Sequence, residues 1–142
     1  MKTTTLRLLL GGIFLAAALE KIQYPVSFAE MVEHYQLLPF QVGVWLALVL
    51  PYLELVLGLA LVLGFLSRSC ALLAAGLSIV FGLASFSAWW RGLDVSCGCF
   101  HSQGPPVSWI HSLLDIGLLA LAILILRIGP GRWALDDFFY SD

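Results

Sequence analysis

FQVGVWLALVLPYLELVLGLALVLG, residues 40–64, carries a single formal charge, the carboxylate of Glu54. A bilayer core takes about 20 apolar residues of helix to cross, so this stretch reads as a membrane span. Glu54 lies fourteen residues beyond Phe40, roughly 21 Å along a helix that rises about 1.5 Å per residue. A charge at such depth costs at least about 2.5–3.5 kcal/mol, so the carboxylate requires a proton or a partner. Pro51 removes a backbone bond to the carbonyl of Ala47 and predicts a kink. Ala47, Pro51, Glu54 and Gly58 share one face, and small residues on a face predict close helix packing in lipid.

The rest of the chain follows suit. Of 142 residues, 61% are hydrophobic and 11% charged, and the mean hydropathy is +0.96. That balance excludes an ordinary water-soluble domain. A net charge of -2 with no basic cluster excludes a nucleic-acid partner. Three further segments are long and apolar enough to span: about 6–23, 69–90 and 108–126. The expected fold is all-α, a single transmembrane domain over residues 1–142, built as an integral membrane four-helix bundle. Lys2, Arg7 and the run Ala16 to Ala18 imitate a cleavable signal, but Glu20 and Lys21 continue the helix past any cut.

Basic residues set the orientation. Lys2, Arg7, Arg68, Arg127 and Arg132 fall on one side, whereas Lys21 and Arg91 fall on the other with Glu30, Glu33 and Asp94. Both termini are therefore expected in the cytoplasm of a bacterial inner membrane, with the outer loop 91–107 in the periplasm. Between Pro25 and Pro39, Phe28, Met31, Val32, Tyr35 and Leu38 recur at helical spacing opposite Ser27, Glu30, Glu33 and His34. This predicts a short amphipathic helix lying flat in the interface between the first and second spans. Trp45, Trp89, Trp90 and Trp109 suit an aromatic belt.

Small-residue stripes predict the packing faces: Ala71, Ala75, Ser78, Gly82 and Ser85 in the third span, and Gly12 and Ala16, continued by Glu20, in the first. Glu20, Glu54 and Asp115 are the expensive residues these faces carry inward, and His111 shares a face with Asp115 four residues on. They are read as interhelical glue or as functional groups beneath the outer loop. Lys21 is expected to snorkel to the interface.

That loop contains DVSCGCFHS, residues 94–102. Cys97 and Cys99 flank one glycine, close enough for the 4.4–6.8 Å Cα separation of a disulfide. A ring so small is strained, and it closes almost no loop in the unfolded chain, so exchange suits it better than stapling. Arg91 and His101 bring charge that favours a thiolate. A Cys97, Cys99 and His101 metal clip remains an alternative, as do two chemically idle thiols. Cys70 opens the third span at the opposite side and is read as packing. A thiol pair at one face must pass electrons to a soluble partner, to a lipid-phase carrier such as a quinone, or to both.

RGLDVSCGCF, residues 91–100, resembles the methylamine utilisation protein MauE group, within the wider DoxX-like four-helix membrane proteins. LEKI at 19–22 and LPYLELVLGLALVLG at 50–64 extend the resemblance over most of the chain. The chain departs from that group at His101, where a glycine is usual, and at Leu114, where an arginine is common. The resemblance implies assistance in disulfide formation or maturation of periplasmic proteins, alongside a thioredoxin-like partner and a disulfide-containing client. For MauE the client would be the disulfide-rich small subunit of methylamine dehydrogenase. Cys97 and Cys99 would be the catalytic pair of a thiol–disulfide oxidoreductase, with Arg91, His101, Glu20, Glu54, His111 and Asp115 in support. A noncatalytic assembly factor, holding a client or partner at the membrane, is the rival reading.

Overall fold

In a computed structural model, residues 2–95 and 108–129 are described. These residues form five helices: α1 (Lys2–Gln23), α2 (Pro25–His34), α3 (Phe40–Leu63), α4 (Ser67–Trp90) and α5 (Trp109–Ile128). No strand occurs among them. By length and composition α3, α4 and α5 are each able to cross a membrane, and the chain is a membrane protein. Their outward faces are apolar, with Val56, Leu63, Leu72, Leu83 and Ile116 all more than half exposed. In water such a surface would aggregate, but hydrocarbon is its natural solvent.

Two pairs, α1 with α3 and α4 with α5, make the most extensive helix contacts. In the first pair, glycine is indispensable. A Cβ on Gly11 would stand 2.9 Å from the Gly58 carbonyl oxygen, and one on Gly58 would stand 3.0 Å from the Gly11 carbonyl oxygen. The two backbones touch, as small residues permit in lipid. Gly12, by contrast, has open space around it. The expectation that Gly12 and Ala16 mark the packing face of α1 is therefore corrected: both are exposed, and the buried stripe is Leu10, Phe14, Ala17 and Lys21. In α3 the expected face holds, with Ala47, Pro51, Glu54 and Gly58 all buried. In α4, Ala71, Ala75, Ser78 and Ser85 are buried, and a Cβ on Gly82 would meet the Cβ of Asp115 at 3.4 Å.

The α3–α4 connection is tight. Gly64 ends α3 at φ 74°, a left-handed cap that glycine adopts without steric cost. Leu66 follows at φ 46°, where a branched side chain is strained. At this turn end, Leu10, Phe14, Leu57, Leu61, Cys70, Ala71, Ala122 and Ile125 make one core cluster. It joins the first half of α1 to the last turns of α3 and α5. Cys70 lies within that cluster, as its reading as packing requires.

The opposite, loop end is built by α2. Helical hydrogen bonds run through the junction, from Tyr24 N–H to the Glu20 carbonyl and from Phe28 N–H to the Tyr24 carbonyl, each at 3.1 Å. Tyr24 nevertheless leaves the helical region at φ -126°, ψ 63°, and Pro25 opens a new helix. Phe28 and Met31 pack with Ala47 and Leu50 of α3, and Val32 comes against Gly43. So α2 lies along the first half of α3, with Glu30, Glu33 and His34 left exposed.

Candidate functional site

Between the two core clusters sits a polar group of three helices. Lys21 Nζ of α1 donates to Glu54 Oε2 of α3 at 2.8 Å, and the side chains are 3% and 2% exposed. The expectation that Lys21 snorkels to the interface is thus overturned. Its stripe points into the bundle, where the Glu54 carboxylate accepts from it. Phe28 and Phe81 place their rings 5.4 Å from the same ammonium, within the range of cation–π attraction. Four helices therefore converge on one cation.

Asp115 of α5 completes the group. Ser85 of α4 sets its hydroxyl beside the Asp115 carboxylate. Lys21, Glu54, Ser78 and Asp115 line one small cavity of about 30 Å³, room for about two water molecules. Glu20, expected with Glu54 and Asp115, does not line it. It is half-buried one position earlier on α1, and one position is about 100° of helix rotation. Sequence reasoning followed the small residues to Glu20. The signal for Lys21 was the larger apolar stripe of Leu10, Phe14 and Ala17.

His111 also goes elsewhere. Its Nδ1 accepts a hydrogen bond from the Ser108 backbone N–H at 3.1 Å, closing a capping box at the start of α5. A glutamate or glutamine usually fills that position, which is why a histidine there drew attention for its chemistry instead. Arg91 closes α4 onto the α2–α3 connection. Its Nη1 donates to the Tyr35 carbonyl at 3.0 Å and its Nη2 to Gln36 Oε1 at 3.5 Å. Just beyond, Val95 is buried with Ala88, and Tyr35 and Leu93 pack against them. Cys97, Cys99 and His101 lie outside the described residues. Among the described residues no group of three His, Cys, Asp or Glu side chains is placed to hold a metal ion.

Two larger spaces flank this core. One of about 460 Å³ lies under α2, between α3 and α4, and is lined mainly by apolar side chains including Phe28, Met31, Leu50 and Phe81. The other lies between α4 and α5 and measures about 250 Å³. It shares Ser78 and Asp115 with the small cavity.

A family model described as methylamine utilisation protein MauE matches residues 1–128. A protein named methylamine utilization protein MauE from Paracoccus denitrificans is 37% identical over 122 residues, covering 84% of this chain and 66% of that protein. The protein of the same name from Methylorubrum extorquens is 34% identical over 139 residues, covering 94% of this chain and 75% of its own. A third, from Paracoccus versutus, is 35% identical over 135 residues, with 91% and 73% covered. No solved structure matches.

Proposed function

The chain belongs to the methylamine utilisation protein MauE family, and we propose that it serves there as a membrane thiol–disulfide redox protein acting through Cys97 and Cys99. In this reading α1 is a fourth span beside α3, α4 and α5. Its start, Arg68 and Arg127 gather at the turn end, which the positive-inside rule assigns to the cytoplasm. The loop end then faces the periplasm, where a disulfide persists, and α2 lies at the level of the outer headgroups. Segment 96–107, which carries both cysteines, joins the periplasmic ends of α4 and α5.

A thiolate of the client or of a thioredoxin-like partner attacks the Cys97–Cys99 disulfide and forms a mixed disulfide. A second client thiolate resolves it. The client gains one disulfide, while Cys97 and Cys99 take up its two electrons and two protons as thiols. By the family name, the client belongs to methylamine utilisation, and the disulfide-rich small subunit of methylamine dehydrogenase is the substrate we infer.

The observation that carries this reading is the anchored entry to the cysteine segment. Arg91 ties the end of α4 to Tyr35, and Val95 is 5% exposed. An exchange centre benefits from such support, because sulfur–sulfur attack needs a defined approach. The test is alkylation in intact cells with a membrane-impermeant maleimide. Cys97 and Cys99 should label only after reduction, and Cys70 only after denaturation. A Cys97→Ser or Cys99→Ser chain should trap or lose the mixed disulfide. If both variants still deliver oxidised client at the wild-type level, the redox role is wrong.

A further inference from the structure

The groove between α4 and α5 is bordered by three residues that each carry a buried polar atom without a partner among the described residues. Ser78 Oγ, Ser112 Oγ and Asp115 Oδ2 are each buried and without a hydrogen-bond partner among the described residues. All three residues line that groove, and Ser78 and Asp115 are only 3% and 4% exposed. Hydrocarbon cannot satisfy such groups, and native structures rarely leave them unmade without a reason. Three such residues border one space of about 250 Å³, and Ser78 and Asp115 also border the small cavity beside it.

The chemistry of the donors narrows the ligand. Two hydroxyls can donate or accept, and one carboxylate oxygen accepts. Among the described residues no cation lines the groove, so a phosphate headgroup finds no counter-charge there. Its flanks are Leu83, Phe86 and Ile116, each exposed on the apolar surface, so the ligand arrives from the lipid phase. A flat ring bearing oxygen at opposite edges fits this pattern in both redox states. A quinone carbonyl accepts from the serine hydroxyls, and a quinol hydroxyl donates to Asp115 Oδ2.

We propose that the α4–α5 groove binds the ring of a membrane quinone, held by Ser78, Ser112 and Asp115, and that this quinone reoxidises the cysteine pair. The electron-transfer part rests on the redox reading above, since the segment carrying Cys97 and Cys99 joins the two helices that wall the groove. The balance is simple. Two thiols lose two electrons and two protons as their S–S bond forms, and the quinone takes up both electrons and two protons to become a quinol.

The experiment uses the full-length protein in lipid nanodiscs with a photoreactive azidoquinone, competed by decylubiquinone. Label should fall within residues 78–86 and 112–119. The Ser78→Ala/Ser112→Ala double variant should bind decylubiquinone at least about tenfold more weakly. Its thermal stability should hold or rise, because neither hydroxyl has a bond to lose. Label elsewhere, or unchanged affinity in the double variant, overturns the site. The Cys97→Ser/Cys99→Ser variant separates the two ideas. If it labels like wild type and still oxidises client, the groove stands and the redox reading falls. If the cysteines prove essential but no quinone labels, the groove falls alone.

Discussion

Lys21 and Glu54, thirty-three residues apart in sequence, form a 2.8 Å ion pair that is almost wholly withdrawn from the surface. A pair so placed gains little in net stability over an apolar replacement, yet breaking it leaves a buried charge uncompensated. Lys21→Met should therefore cost about 3–5 kcal/mol. The double variant Lys21→Met/Glu54→Leu should recover most of that loss. Thermal unfolding in detergent measures both, and a double variant as unstable as the single one would contradict the account.

Adjacent glycines in α1 make a sharper comparison. Gly11→Ala drives a methyl into the Gly58 backbone, which cannot move aside without separating α1 from α3. Gly12→Ala adds the same methyl to open space. The first should destabilise by about 1–3 kcal/mol, and the second should be neutral or slightly favourable. Equal behaviour of the two variants would mean that α1 is rotated from the position described.

His111 separates a capping role from a chemical one. Glutamine supplies the same acceptor at this position of a capping box, so His111→Gln should keep wild-type stability and, under the proposed redox role, client oxidation. His111→Leu should lose about 0.5–2 kcal/mol, the usual worth of a helix cap. Retained stability with abolished oxidation in the glutamine variant would instead assign the imidazole to catalysis.

At the loop end, Arg91→Lys should fail to reach Tyr35 and Gln36 together, because an ammonium lacks the fork of a guanidinium. Both contacts are exposed, so global stability should fall by less than about 1 kcal/mol. Amide exchange between residues 33 and 40, and around Leu93 and Val95, should accelerate severalfold. Unchanged exchange there would remove Arg91 as the tie between the end of α4 and the α2–α3 connection.

Hydropathy and length made α3, α4 and α5 legible to within a few residues. The start of α1 was not, because Thr3, Thr4 and Thr5 extend it beyond its apolar run. The packing faces of α3 and α4 were readable from small residues on one stripe. On α1 that same logic chose Gly12, Ala16 and Glu20, since the true face carries the bulky Leu10 and Phe14 beside a single glycine, Gly11. A lysine at the end of an apolar helix reads as an interface residue, and only Glu54 on a helix far along the chain reveals otherwise. Asp115 and Glu54 were legible as costly groups. Their cavity was not, because it depends on how four helices meet.

The order in which the helices emerge from the ribosome gives the ion pair a meaning for biogenesis. The first helix carries Arg7, Glu20 and Lys21, and the carboxylate that neutralises its lysine is made only after α2 and half of α3. Until then the lysine lacks the carboxylate it pairs with in the folded chain. Docking of α1 through its lysine thus waits on the synthesis of Glu54, so the α1–α3 pair is completed only when both helices have been made.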